Sequence, residues 1–394
     1  MASAALHPRT RVSTMRAAVL VEAGRIEVRD VPRLDPLPHE VVVRVQAVGL
    51  CGTDLHIASG EANYNLDEFG RQRPLSRHPQ ILGHEITGVI VEAGAAARDI
   101  SLGNRVVIDQ GRTCVSDGRT PACDYCHSGD SHQCDHYREH GITGLPGGFA
   151  EFVTVPAVNA VPLLFHIEPE HAALTEPLGC ILHSMAMVDR ASTRFRLGSA
   201  AGHGAVRAVL ICGGGPAGLL FLQHLRNVER FDGVVVVSEP DAHKRELARR
   251  WGAIPIDPGA GDVVMQVRDH TGGTGVELLI EASGAGEIFR VIPGLVRKQA
   301  TVLLYGHGHS GVDLSVMNQV QFREPVLVSP AGASGGHDSA GRPLTYLHAL
   351  RLLEAGTIDV APLITHRYTT LDELPQAFAG DHRQAGYVKG VLLQ

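Results

Sequence analysis

The chain has 394 residues, enough for two or three domains and a sizeable buried core. Its 35 Lys and Arg against 42 Asp and Glu give a net charge of −7, and with no run of basic residues this argues against a nucleic-acid binder. Hydrophobic content of 44% against 20% charged argues against global disorder, which leaves 45 glycines and 7 cysteines as the counts to explain.

In chain order, residues 1–14 carry Arg9 and Arg11 with no acidic residue, and a disordered extension is expected there. The apolar stretch after it is too short for a secretory signal; an Arg-rich start also fits an organelle transit peptide. A cytoplasmic protein is the default expectation. The first strand is expected over 16–21. From there to about 165, β-branched runs at 41–45, 86–91, 105–108 and 149–155 predict an all-β region with long loops. After Pro169 the pattern turns helical, at 170–174 and 178–188. Strands over 208–212, 234–237, 278–280 and 301–304 then alternate with helices over 217–228 and 242–251. That βαβ rhythm implies a parallel sheet and an α/β fold class. Helices over 344–354 and 371–379 and a strand over 388–393 close the chain. The uncharged stretch 208–225 has the length of a membrane span, but Gly213-Gly214-Gly215-Pro216 at its centre would break a helix, so no membrane contact is expected.

Gly213, Gly215 and Gly218 spell G-x-G-x-x-G, followed by Glu239 at a strand end. Glycines there allow a tight turn and close approach of backbone to a pyrophosphate, whose charge the helix N-terminus receives. Pro216 and Ala217 lie inside the turn, and Glu239 stands where a carboxylate would grip ribose hydroxyls. A carboxylate repels a 2′-phosphate, so NAD is expected rather than NADP, although Lys244 and Arg245 nearby would soften that preference.

Cys123, Cys126 and Cys134 share one polar loop with Cys114, and in an acidic, cytosolic type of chain this reads as a metal site before disulfides. Four thiolates satisfy tetrahedral zinc with no open position, which makes such a site structural. Cys114 is the weak member, with Asp117, Asp124, His127, His132 and His136 as substitutes. Cys51, His84 and Glu176 offer a thiolate, an imidazole and a carboxylate, three ligands with room for a fourth, the pattern of a catalytic zinc.

Cys51-Gly52-Thr53-Asp54-Leu55-His56, Gly83-His84-Glu85, the four-cysteine loop, Gly147-Gly148-Phe149-Ala150-Glu151, Glu176-Pro177-Leu178 and the 213–218 turn follow one another in a fixed order. In this the chain resembles the zinc-dependent medium-chain dehydrogenases, on the alcohol, polyol and threonine dehydrogenase branch, from residue 15 to 393. The resemblance implies a GroES-like β-rich catalytic domain over 15–187, with a structural-zinc loop at 110–137. It implies a doubly wound Rossmann domain over 188–325 and a return to the catalytic domain over 326–394. Two zinc ions per chain and NAD follow as cofactors, and a homodimer or homotetramer as the assembly. Cys51, His84 and Glu176 would hold the catalytic zinc, with Glu85 as the competing carboxylate. Thr53 and His56 would relay the proton, and Lys389 would help hold the cofactor pyrophosphate. The implied reaction is hydride transfer between a small secondary alcohol (of a sugar, polyol, cyclitol or amino acid) or its ketone and NAD. The alternatives are an NADPH-dependent carbonyl reductase of the same fold and a non-catalytic relative that only binds zinc and nucleotide.

The chain departs from the pattern twice: Cys114 and Cys123 are unusually far apart, and the segment 60–79 is longer than usual. Either it is a solvated surface loop or its polar residues, among them Tyr64, Asn65, Asp67 and Arg71, wall a pocket for a polyhydroxylated or anionic substrate.

Overall fold

Strand Glu40–Leu50 is buried along almost its whole length because it has partners on both edges. Glu85–Ala93 pairs with one edge, while Phe152–Pro156 and Lys389–Leu393 share the other, all antiparallel. The full sheet runs Ile364–Tyr368, Lys389–Leu393, Glu40–Leu50, Glu85–Ala93, Arg105–Ile108, Ala160–Pro162, so the last strand of the chain completes a sheet begun in its first third. The structure, a computed structural model, describes residues 11–164, 166–198 and 204–394.

The first strand begins at Arg11, not at residue 16. Its partner Arg25–Leu34 continues the pairing as far as Arg11↔Leu34, which corrects the extension expected over 11–14. That partner alternates its burial only weakly, so its strand character does not stand out from the sequence. Residues 1–10 lie outside the described residues.

The second large sheet is all parallel and ordered Ile254–Ile256, Val234–Ser238, Ala208–Cys212, Val276–Glu281, Val296–Leu304, Val326–Val328. Numbered along the chain this is 3-2-1-4-5-6, the doubly wound order whose switch point lies beside the first strand. The turn after Cys212 therefore opens at the carboxyl end of the sheet, where such folds bind ligands. Val326–Val328 is the sixth strand, so the parallel sheet runs slightly past the expected boundary at 325.

Helix Thr175–Arg190 joins the two sheets. Its Leu178, Ile181 and Met185 share one apolar cluster with Tyr346, Leu350 and Leu353 of helix Leu344–Glu354 and with Val209 and Ile211 of the parallel sheet. Among the described residues no helix is long and apolar enough to cross a membrane.

Candidate active site

Cys51 ends strand Glu40–Leu50 and precedes helix Gly52–Ser59, while His84 and Glu85 open the neighbouring strand Glu85–Ala93. Antiparallel pairing sets Gly49 opposite Glu85, so the two chain segments reach the same end of the sheet. One ligand atom from each of Cys51, His84 and Glu85 lies within 4.8 Å of the others. Asp54, to which the sequence assigned no role, ties these turns together. Its Oδ2 accepts from the Cys51 backbone N–H (3.0 Å), and its Oδ1 accepts from the Gly83 N–H (3.0 Å) and lies 3.3 Å from His84 Nδ1. A Cys-x-x-Asp at a helix start is a capping signal that would have found it.

Glu85 Oε2 in this trio is buried with no hydrogen-bond partner, while His84 Nδ1 faces Asp54 Oδ1. Buried polar atoms are costly when unpaired, so the donor set fits a cation of the kind thiolate, imidazole and carboxylate hold together. Burial lowers the pKa of His84, but Asp54 and Cys51 outweigh it and hold the imidazole well above its usual range. The same negative surroundings suit a metal ion in place of that proton.

Lys389 completes the cluster in a way the sequence did not suggest. Its ammonium, 3% exposed, pairs at 2.5 Å with Oε1 of the fully buried Glu85. Burial works against the charge, yet Glu85 and Cys51 raise its pKa above the ordinary lysine range. The side chain expected at the cofactor pyrophosphate is thus paired with a buried carboxylate. Gly49 makes room for this, since a Cβ there would come within 1.9 Å of Glu85 Oε2.

Glu176 stands beside the trio rather than in it. Its Oε1 accepts from Gln110 Nε2 (3.1 Å) and from the Cys180 thiol (3.3 Å), one turn along the same helix. Burial raises its pKa, opposed by the nearby His84 and reinforced by Glu85. In position, Glu85 lies with Cys51 and His84, and Glu176 stands beside them.

The four cysteines also converge. Sγ atoms of Cys114, Cys123, Cys126 and Cys134 lie within 4.8 Å of one another, so the long spacing does not remove Cys114. The excursion between them is pinned by Asp117, which pairs with Arg112 and Arg119. Of the suggested substitutes, Asp117 is thus engaged, and His132 lies against Asp109. The backbone N–H groups of Cys126 and Asp135 bring the Cys123 thiol down to about 7, while burial raises Cys126 and Cys134. Such a set could hold zinc in a closed tetrahedral site.

The glycine turn sits as its spacing requires. Helix Pro216–Gln223 starts at once after it, with Ala217 in its first turn, and a Cβ on Gly218 would come within 1.9 Å of the Gly213 carbonyl oxygen. Glu239 reaches back to the turn, where its Oε2 accepts from the Gly214 N–H at 2.6 Å. Arg245 is held by the Glu239 and Pro240 carbonyls and by Asp257.

Residues 37–164 match the family model for an alcohol dehydrogenase GroES-like domain, and residues 216–346 that for a zinc-binding dehydrogenase. The chain is 34% identical over 370 residues to an L-threonine 3-dehydrogenase from Pyrococcus furiosus, covering 93% of this chain and 94% of that protein. It belongs to the zinc-dependent medium-chain dehydrogenases. An L-galactonate-5-dehydrogenase from Escherichia coli is 28% identical over 363 residues, covering 91% of this chain and 93% of that one. A solved zinc-binding dehydrogenase from Sinorhizobium meliloti, bound to NADP, aligns with TM-score 0.77 and 32% identity over 97% of this chain and all of its own.

Two further features of the dehydrogenase bear on its chemistry. Thr53 lies in the first turn after Cys51, and His56 one turn on, with its side chain 34% exposed and its Nδ1 2.6 Å from Glu61 Oε2. The ring also faces Gly308, in the loop that follows the fifth strand of the parallel sheet. The long segment 60–79 forms a small closed loop, with Leu66 bridged to Gln72, Asn65 against Gly144, and Tyr64 and Phe69 exposed.

Proposed function

We propose that this dehydrogenase oxidises a secondary alcohol of a polyol, sugar, cyclitol or amino acid with NAD as acceptor, and that it carries two zinc ions. Cys51, His84 and Glu85 would hold one, with Glu176 beside it, and Cys114, Cys123, Cys126 and Cys134 the other. The observation that carries this reading is the trio converging at one sheet end with the buried Glu85 Oε2 left without a hydrogen-bond partner. Zinc at the trio would polarise an alcohol oxygen as a Lewis acid, and NAD at the glycine turn would accept the hydride.

The chain's own residues do the rest. Lys389 balances the charge of Glu85 and keeps that carboxylate in place. Thr53, on the helix that Cys51 opens, would accept the hydroxyl proton at Oγ1 as it releases its own hydroxyl proton onward. His56 would pass it on, its ring oriented by Glu61 and open to water. The relatives named for threonine and for a sugar acid support a substrate with several polar groups, and the segment 60–79 with its Asn and Arg side chains is in keeping with that.

The deciding experiment is a panel of polyols, cyclitols, threonine and simple alcohols followed by NADH absorbance, alongside zinc analysis. Two zincs per chain and turnover of a polar secondary alcohol are expected. One zinc or none, with no turnover on the panel, would overturn the reading. Thr53→Ala should lose about 10²-fold in turnover, the range of a general acid–base group, with its zinc content unchanged. Wild-type turnover in that variant would remove Thr53 from the relay.

The NADP-bound relative favours a second reading, an NADPH-dependent reductase. Against it, Glu239 lies at the glycine turn, and Arg245 is already engaged with Asp257 rather than free to meet a 2′-phosphate. Glu239→Ala is expected to raise KM for NAD about tenfold, the worth of a charge-assisted hydrogen bond, and to leave KM for NADP equal or lower. A wild-type enzyme that prefers NADP tenfold or more would overturn the NAD assignment.

A further inference from the structure

We infer that Gln110 and Tyr346 are positioning residues for Glu176, joined to it by a hydrogen-bond chain that runs in one direction only. This rests on the zinc-dehydrogenase reading and adds two residues to it. The Tyr346 hydroxyl donates to Gln110 Oε1, and Gln110 Nε2 donates to Glu176 Oε1 at 3.1 Å. All three side chains are buried, Tyr346 completely.

The direction follows from the groups themselves. An amide has one accepting and one donating end. With the tyrosine hydroxyl donating to its oxygen, Gln110 must turn its NH₂ to Glu176. Flipping the amide would set its carbonyl oxygen against a buried carboxylate. The Cys180 thiol also donates to Glu176 Oε1, so this oxygen is held by two donors. Glu176 is thereby kept beside Cys51, His84 and Glu85 rather than free to swing.

Both holders are anchored by the four-cysteine lobe. Asp109, the neighbour of Gln110, lies 3.3 Å from His132 Nε2. The His132 N–H donates to Ser334 Oγ (3.1 Å), the Ala333 N–H to His132 Nδ1 (3.0 Å), and the Gly335 N–H to Ser131 Oγ (3.2 Å). Thr345, next to Tyr346, donates from its hydroxyl to the Ser334 carbonyl at 3.0 Å. The lobe thus grips the chain of hydrogen bonds from two sides, and the low dielectric of the interior strengthens each of those bonds.

A double-mutant cycle on the holoenzyme tests this, because residues acting through one group are non-additive. Tyr346→Phe is expected to lower kcat/KM about tenfold in the wild-type background, and less than about twofold when Glu176→Gln is already present. With Co²⁺ in place of zinc at the catalytic centre, the visible bands should shift in Tyr346→Phe but show no added shift on Glu176→Gln. Gln110→Leu, which removes the middle link, should repeat both results, and it serves as the test if Tyr346→Phe does not fold. Equal losses in both backgrounds, or unchanged kcat/KM and cobalt bands in the single variants, would overturn this inference alone. A wild-type chain that holds no second metal would overturn it together with the dehydrogenase reading.

Discussion

Cys51→Ala is expected to cut the zinc content from two per chain to one and turnover by roughly 10⁴-fold or more. The magnitude follows from the several pKa units by which a bound metal acidifies a hydroxyl, all of which are lost with the ion. The fold should survive. Helix Gly52–Ser59 is capped through the Cys51 backbone N–H, which Asp54 accepts, and that bond does not need the thiol. His84 remains packed against Asp54, and Glu85 keeps its Lys389 partner. Elemental analysis with a melting curve separates the effects: one zinc, a nearly unchanged Tm and no turnover. A variant that keeps two zincs and wild-type turnover would remove Cys51 from the metal centre.

Cys134→Ser is expected to act in the opposite way, on stability first. The lobe's own small cluster consists of Cys114, Cys126 and Cys134 with Cys123 and Tyr137 against it, so apolar burial does little to order it. A closed zinc site contributes on the order of 10 kcal/mol to folding such a segment. Even a fraction of that amounts to roughly 10 °C or more in Tm for a protein of this size class. Turnover should fall as well, since Ser131 and His132 hold the segment 333–335 and approach Asp109. Calorimetry with and without a chelator checks this. A chelator should lower the wild-type Tm and leave that of the variant unchanged, and two zincs with an unshifted Tm in Cys134→Ser would overturn the structural assignment.

Much of this molecule is legible along the chain because its signals are local. The glycine turn needs only a strand before it and a helix after it, and both lie within a few residues of Gly213 and Gly218. The four cysteines announce themselves by spacing in one loop, and the βαβ rhythm already implies the parallel sheet. Elements of weak pattern are not legible there: strand Arg25–Leu34, and with it the early start of its partner at Arg11, and the short edge strands Ile254–Ile256 and Val326–Val328. An edge strand owes its existence to the neighbour it pairs with, which local sequence does not display.

By itself, then, the sequence determined the class of chemistry: a nucleotide turn and a thiolate cluster, each set by residues close together in the chain, together with a cysteine and a histidine motif. Only the tertiary structure shows which carboxylate lies nearest that pair and what balances it. Glu176 is the leading candidate on paper and Glu85 the competing one, but strand pairing carries Glu85 to Cys51 while Gln110 and Cys180 hold Glu176 beside them. Lys389 meets Glu85 across 304 positions, because the last strand re-enters the sheet beside Glu40–Leu50. A buried carboxylate demands a partner, and the fold supplies one from whichever part of the chain it brings near.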